Sequence, residues 1–228
     1  MSAFDLDRAL GAAKSLTDAA TISDQDLNAY FSQMAKETDQ QNKVAPPGSS
    51  YGKRLTALTQ GLSSHDGLKL NFKVYQTSEV NAFAMGDGTV RVYSGLMDMM
   101  SDDEVRYVIG HEIGHIKAGH SKKRMQMALT TGGLRDAVAA TGSKAAALTD
   151  SQLGELFQKV ILAQHSQSNE NEADDYAMAF LKNKKYDPKA AVSALEKLDK
   201  LSGGGSASWL STHPAPAERA QRMRSQIG

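Results

Sequence analysis

The stretch His111-Glu112-Ile113-Gly114-His115-Ile116-Lys117-Ala118-Gly119-His120 constrains this chain more than any other segment. Just ahead of it, Ser101-Asp102-Asp103-Glu104 is a capping box with acidic first-turn residues. A helix therefore starts there and runs through Val105, Val108 and Ile109 into His111. Each helical residue turns about 100°. His111 and His115 are four apart, so they share a face and come close enough to hold one ion. His120 sits about 180° round from His111 and about 140° round from His115, and cannot join them while the helix continues. It is expected to be a partly buried or helix-end histidine.

Glu112 lies between the two histidines in an HExxH pattern. Imidazole nitrogens suit zinc, and a catalytic zinc keeps one position open for water, whose pKa it lowers toward neutrality. A carboxylate one residue from a ligand reaches that water without displacing it, as a general base must. By itself the pattern arises by chance in about three in a hundred chains of this length, so a third ligand is needed. In one variant of the pattern a Gly and a His follow the first histidine by seven and ten residues. Those positions hold Ala118 and Ser121, so that form fails. The other source of a third ligand is a glutamate on a later helix. Asn169-Glu170-Asn171-Glu172-Ala173-Asp174 falls in a helical stretch expected from Ser151 to Leu181. Glu170 and Asp174 share a face, so Glu170 could ligate while Asp174 accepts a hydrogen bond from a metal-bound imidazole. An ordinary acidic helix surface has the same spacing. Glu172 points elsewhere, to the surface or a salt bridge.

The remaining sequence narrows the class. With 228 residues the chain is long enough for one good core. Lys plus Arg and Asp plus Glu both number 26, and the basic runs Lys122-Lys123-Arg124 and Lys184-Lys185 read as solvated helix ends, so no nucleic-acid partner is expected. The absence of cysteine excludes disulfides, thiolate metal sites and cysteine nucleophiles. No stretch approaches the roughly 18 apolar residues of a membrane span. The opening MSAFDLDRAL is acidic and amphipathic, unlike a signal peptide, so a trimmed mature form is expected.

Residues 5 to about 41 read as polar helix, 44–50 as a linker, and Tyr51 to about Leu62 as a second helix ended by Ser63-Ser64-His65-Asp66-Gly67. Leu68 to Tyr75 alternates apolar and polar, the pattern of one half-buried strand. Segments 80–84 and 89–93 flank Asp87-Gly88 and read as a β-hairpin. Everything after Ser94 reads as helical, including the Ala/Gly/Thr-rich stretch 131–149. The domain reading is an N-terminal helical segment, 1–50, packed on a single catalytic unit, 51–228.

HEIGH, followed by ENEADDYA, preceded by NAFAMGDGTVRVYSGLMDMM and trailed by THPAPAERAQRM, resembles the HtpX/CAAX-prenyl-protease type of zinc metallopeptidase. The likeness runs from about Tyr51 to Met223 and is strongest to bacterial cell-envelope members of the LoiP type, with BepA more distant. The resemblance implies an α+β, mostly helical gluzincin fold with a small sheet whose edge strand aligns the substrate backbone. Asn81, Ala82, Phe83 and Ala84 match that strand. It implies one Zn2+ per chain held by His111, His115 and Glu170, with Glu112 as general base and acid and Asp174 as partner of a ligating imidazole. His213 matches a His-Pro loop that caps the metal or serves the transition state in relatives; a turn histidine before Pro214 is the alternative. Arg219 follows in the same motif, near the site or in a structural salt bridge.

Two departures stand out. Many relatives have Ser-Arg shortly before the glutamate motif, where this chain has Ser166-Gln167. Membrane-embedded relatives carry transmembrane helices that are missing here. The implied activity is an endopeptidase that hydrolyses unfolded or misassembled envelope proteins in quality control, through zinc-bound water activated by Glu112. Its implied location is periplasmic or outer-membrane-associated, with protein substrates and membrane-associated partners. The alternative is a chaperone-like or adaptor protein whose zinc site is capped and mostly latent.

Overall fold

The computed structural model describes residues 22–130, 147–204 and 207–228. The first helix, α1 (Asp24–Gln41), is capped by Ser23, whose hydroxyl accepts from the Asp26 amide at 3.2 Å. The helical expectation before residue 22, and most of the one for 131–149, lies outside the described residues. Next come α2 (Ser50–Leu58), a short hairpin of β1 (Ser64–His65) and β2 (Leu68–Lys69), and a three-stranded sheet of β3 (Asn71–Tyr75), β4 (Ala82–Ala84) and β5 (Thr89–Tyr93). The helices after them are α3 (Ser94–Met99), α4 (Asp102–Lys117), α5 (His120–Thr130), α6 (Asp150–Leu156), α7 (Gln167–Asn183), α8 (Lys189–Asp199), α9 (Trp209–Thr212) and α10 (Pro216–Arg224). The fold is α+β and mostly helical, and the capping box at Ser101 and Glu104 starts α4 as expected.

Three expectations are corrected. Helix α2 stops at Leu58, and the Ser64–Gly67 cluster turns a hairpin instead of only ending a helix. Asp66 and Gly67 both have positive φ (50° and 74°), as the tight turn between short twisted strands requires. The single strand expected from Leu68 to Tyr75 breaks at Leu70, because Leu68 pairs back with His65 while Asn71 begins a parallel ladder with Thr89. The long helix expected from Ser151 to Leu181 is also broken. A π-helical turn (Phe157–Ile161) follows α6, the chain leaves helix at 162–166, and Ser166 caps α7 by accepting from the Asn169 amide at 3.1 Å. Apolar spacing runs on through this region and hides the break. The Ser166 cap and the bond from the His165 amide to the Thr212 carbonyl (2.9 Å) replace the lost helical turn.

The sheet order is β3-β5-β4, with β5 parallel to β3 and antiparallel to β4. The 80–84/89–93 hairpin thus forms, and β4 is an edge. Val74, Ala82, Val90 and Val92 face the main core. Tyr75, Phe83 and Tyr93 turn to the opposite face, with ring centroids 5.6–6.2 Å apart, and pack with Leu27, Tyr30, Phe31 and Met34 of α1. Asp39 fixes α1 to the sheet by accepting from Arg91 Nε (2.8 Å), the Tyr75 hydroxyl (2.5 Å) and Lys73 (3.0 Å).

Helices α4 and α7 make the most extensive helix pairing. They meet at glycines. A Cβ at Gly114 would lie 3.1 Å from both Ala173 Cα and the Ala173 carbonyl oxygen, and 3.0 Å from Tyr176 Cβ. This close backbone approach brings Glu170 and Asp174 of α7 against His111 and His115 of α4. Gly114→Val is expected to destabilise the protein by about 1–3 kcal/mol and to weaken metal binding, because the helices must part. Thermal melting and a zinc titration of the same sample check both effects. Unchanged zinc affinity would show that the close crossing does not set the site.

Candidate metal centre

Six side chains from three elements meet at this crossing. His111, Glu112 and His115 come from α4, Glu170 and Asp174 from α7, and His213 from the loop after α9; all are buried. His111 Nε2 lies 3.0 Å from His115 Nε2, 3.4 Å from Glu170 Oε2 and 3.2 Å from His213 Nδ1. His115 Nε2 lies 3.0 Å from Glu170 Oε1. His213 Nδ1 sits 3.0 and 3.1 Å from the two Glu170 oxygens. One ligand atom from each of His111, His115, Glu170 and His213 falls within 4.8 Å of the others.

Asp174 is the hub behind His111. Its Oδ1 is 2.8 Å from His111 Nδ1 and accepts from the Tyr107 hydroxyl (2.5 Å) and Arg219 Nη2 (3.0 Å). Its Oδ2 accepts from Arg219 Nε at 2.8 Å. Arg219 Nη1 also pairs with Glu170 Oε2 at 2.9 Å. Of the two positions weighed for Arg219, the fold combines both, since its salt bridge lies inside the site. Glu112 Oε1 accepts from Trp209 Nε1 at 3.1 Å and lies 3.2 Å from His213 Nε2. Trp209 stacks on His213 with centroids 4.2 Å apart. His213 ends α9 directly before Pro214 and is buried. It faces both Glu112 and Glu170.

The electrostatics suit a divalent cation. Three buried carboxylates, Glu112, Glu170 and Asp174, face one buried guanidinium, Arg219, so the cluster carries a formal charge of −2 when the imidazoles are neutral. Such a charge in a dry site demands a counter-charge. Burial opposes protonation of His111, yet the Glu170 and Asp174 carboxylates outweigh it and hold its pKa up at about 9. His213 is likewise raised, because Glu170 and Glu112 outweigh its burial. Burial pushes His115 down to about 4. Burial also favours the neutral acid forms of Glu170 and Asp174, but His213 and His111 beside the first and Arg219 beside the second hold both well below the usual carboxylate range. The cluster draws protons onto His111 and His213, and a bound dication would replace that positive charge. The donor set of two imidazoles and a carboxylate, with the Asp174 carboxylate behind one imidazole, fits zinc.

The family model for peptidase family M48 matches residues 53–227. The chain belongs to peptidase family M48. This M48 chain is 45% identical to the metalloprotease LoiP of Escherichia coli K12 over 210 residues, covering 92% of the chain and 83% of LoiP. It is 42% identical to the metalloprotease YcaL of the same organism over 224 residues, covering 98% of the chain and 88% of YcaL. The protease HtpX of Pseudomonas putida is 36% identical over 91 residues, 38% of the chain and 31% of HtpX. The chain is accordingly a metallopeptidase. Among the described residues no helix is long and apolar enough to cross a membrane.

Asn81, Ala82, Phe83 and Ala84 of the β4 edge line one small cavity of the M48 chain together with Glu112, His115 and His213. Three further site residues were not singled out in the sequence, and a fourth, His120, was expected to stay apart. Tyr107 precedes His111 by one helical turn, a spacing that could have revealed it. Trp209, the chain's one tryptophan, offered no local signal. His165 stacks on His115 with centroids 3.9 Å apart, placed there by the break between the π-turn and α7. His120 is buried with its Nδ1 2.9 Å from His115 Nδ1. The expectation that it stays apart holds only for a continuous helix. Helix α4 ends at Lys117, and Gly119, at φ 73°, reverses the chain so that His120 folds back on His115. Glu172 is at the surface, as its spacing suggested, with Oε2 2.9 Å from His120 Nε2.

Proposed function

We propose that this M48 chain is a zinc-dependent endopeptidase in which His111, His115 and Glu170 hold one zinc and Glu112 is the general base and acid. The observation that carries the reading is the convergence of these donors, with His115 lining one cavity together with Glu112 and the β4 edge. Bound zinc supplies a Lewis acid that acidifies water and polarises a carbonyl. The chain's own groups do the rest. An extended substrate pairs with β4, which has no strand on its outer side among the described residues. Glu112 takes a proton from the attacking water as its oxygen adds to the peptide carbon. It then returns that proton to the amide nitrogen as the C–N bond breaks. Asp174 and Arg219 hold His111 and Glu170 in place. The likeness to LoiP-type relatives supports unfolded or misassembled envelope proteins as substrates, and a periplasmic or outer-membrane-associated location. Casein cleavage by protein carrying one equivalent of zinc tests the activity. Chelation should abolish it and added zinc restore it, and His111→Ala and Glu170→Gln should lose the metal. Cleavage that survives full removal of metal overturns the reading.

A second reading is favoured by His213, whose Nδ1 lies against both Glu170 oxygens while its Nε2 faces Glu112. The cavity beside Glu112 measures about 20 Å³, room enough for a water molecule. In this form the site is capped, the protease is mostly latent, and a chaperone-like or adaptor role dominates. On this reading His213→Ala raises the rate of casein cleavage at equal zinc content. A lower rate would instead assign His213 to the transition state.

A further inference from the structure

The two histidines of the HExxH pattern are held by different devices. His111 Nδ1 meets the Asp174 carboxylate directly, at 2.8 Å. His115 Nδ1 instead meets another imidazole, His120 Nδ1, at 2.9 Å, and His120 Nε2 meets Glu172 Oε2 at 2.9 Å. A neutral imidazole has one donor nitrogen and one acceptor nitrogen. If His115 offers a bare Nε2 to a metal, its proton is on Nδ1 and is donated to His120. His120 Nδ1 must then be bare, its proton must be on Nε2, and that proton is donated to Glu172. Only one arrangement of protons satisfies all three groups.

We propose that His120 and Glu172 form a positioning relay in which Glu172 selects the tautomer of His120, and His120 fixes the tautomer and ring orientation of His115 for metal binding. The proposal rests on the reading of His111, His115 and Glu170 as zinc ligands. Neither relay residue lines the cavity beside Glu112. They act through His115, as hydrogen-bond partners of ligating imidazoles do elsewhere. The inner link is shielded, because His120 is 4% exposed. The outer link is not: the Glu172 side chain is 60% exposed, so water competes for His120 Nε2. The relay depends on the chain reversal at Gly119 and on the register of α7, which presents Glu172 beside His120 while Glu170 and Asp174 face α4.

The test is zinc affinity, measured by competition with a chromophoric chelator, beside thermal melting of the zinc-free proteins. His120→Leu should bind zinc about 10–100-fold more weakly, and His120→Asn, whose Oδ1 takes the place of Nδ1, should stay within about threefold of wild type. Glu172→Ala should lose less than His120→Leu. A His120→Leu protein with wild-type affinity overturns the relay, as does a His120→Asn protein as weak as His120→Leu. Should His120→Leu fail to fold, long-range 1H–15N spectra of zinc-loaded wild type decide. A protonated Nε2 and a bare Nδ1 on His120 are expected, and the opposite tautomer overturns the proposal. The zinc-site reading fails separately, and takes the relay with it, if His111→Ala binds zinc as tightly as wild type.

Discussion

Glu112→Gln should keep its full complement of zinc and cleave casein about 10²–10⁴-fold more slowly than wild type at equal metal content. The substitution preserves shape, and the Gln carbonyl still accepts from Trp209 Nε1, which donates to Glu112 Oε1 at 3.1 Å. It removes the one property the reaction needs there, a carboxylate that takes a proton from water and returns it to the leaving nitrogen. Glu112 is 2% exposed, so bulk water cannot easily substitute as the base. Burial raises its pKa, but His213, with smaller help from His111 and His115, more than offsets this and keeps it below the usual value. It is therefore ionised and ready to accept a proton near neutral pH. Metal analysis and initial rates on the same preparations check the prediction. Cleavage at the wild-type rate would exclude Glu112 as the base.

Asp174→Asn should destabilise the zinc-free protein by about 3–5 kcal/mol, lowering the melting temperature by roughly 6–20 °C for a chain of this size. Its zinc affinity should fall by about 10–100-fold. The carboxylate accepts from Tyr107 and from two nitrogens of Arg219, and also holds His111 Nδ1. An amide has one acceptor oxygen and turns an NH2 group toward partners that are themselves donors. Arg219, fully buried, is left with a single carboxylate, Glu170. The depressed pKa of Asp174 has a matching consequence: its stabilising effect is complete above the ordinary value of 3.8 and is lost as pH falls through the lower value of the folded state. Melting curves of zinc-free wild type and variant provide the measurement. A melting temperature within about 2 °C of wild type would show that Asp174 does not anchor this cluster.

Much of the site could be read along single helices. The capping box at Ser101 and the four-residue spacings of His111 with His115 and Glu170 with Asp174 follow from helical geometry alone, and Asp87-Gly88 marks the hairpin that makes β4 an edge. These signals are local, so neighbouring residues encode them. They fix which side chains share a face, and they left the acidic face of α7 open between a ligand and an ordinary surface. The close crossing at Gly114 brings the two faces together, and no periodicity announces it.

The remaining site residues depend on where regular structure stops and on contacts between distant segments. His120 reaches His115 because Gly119 turns the chain back, and His165 reaches it because the chain leaves helix at 162–166. His213, Trp209 and Arg219 lie about a hundred residues from α4, and only packing of the last helices against α4 and α7 gives them their partners. Sequence by itself determined the start of α4, the β4–β5 hairpin and the chemistry available on each helix face, because backbone geometry repeats over a few residues. Tertiary structure alone decided the contact of His120 with His115, the hub at Asp174 and the approach of His213 to Glu112, because burying three carboxylates requires partners that local geometry cannot supply.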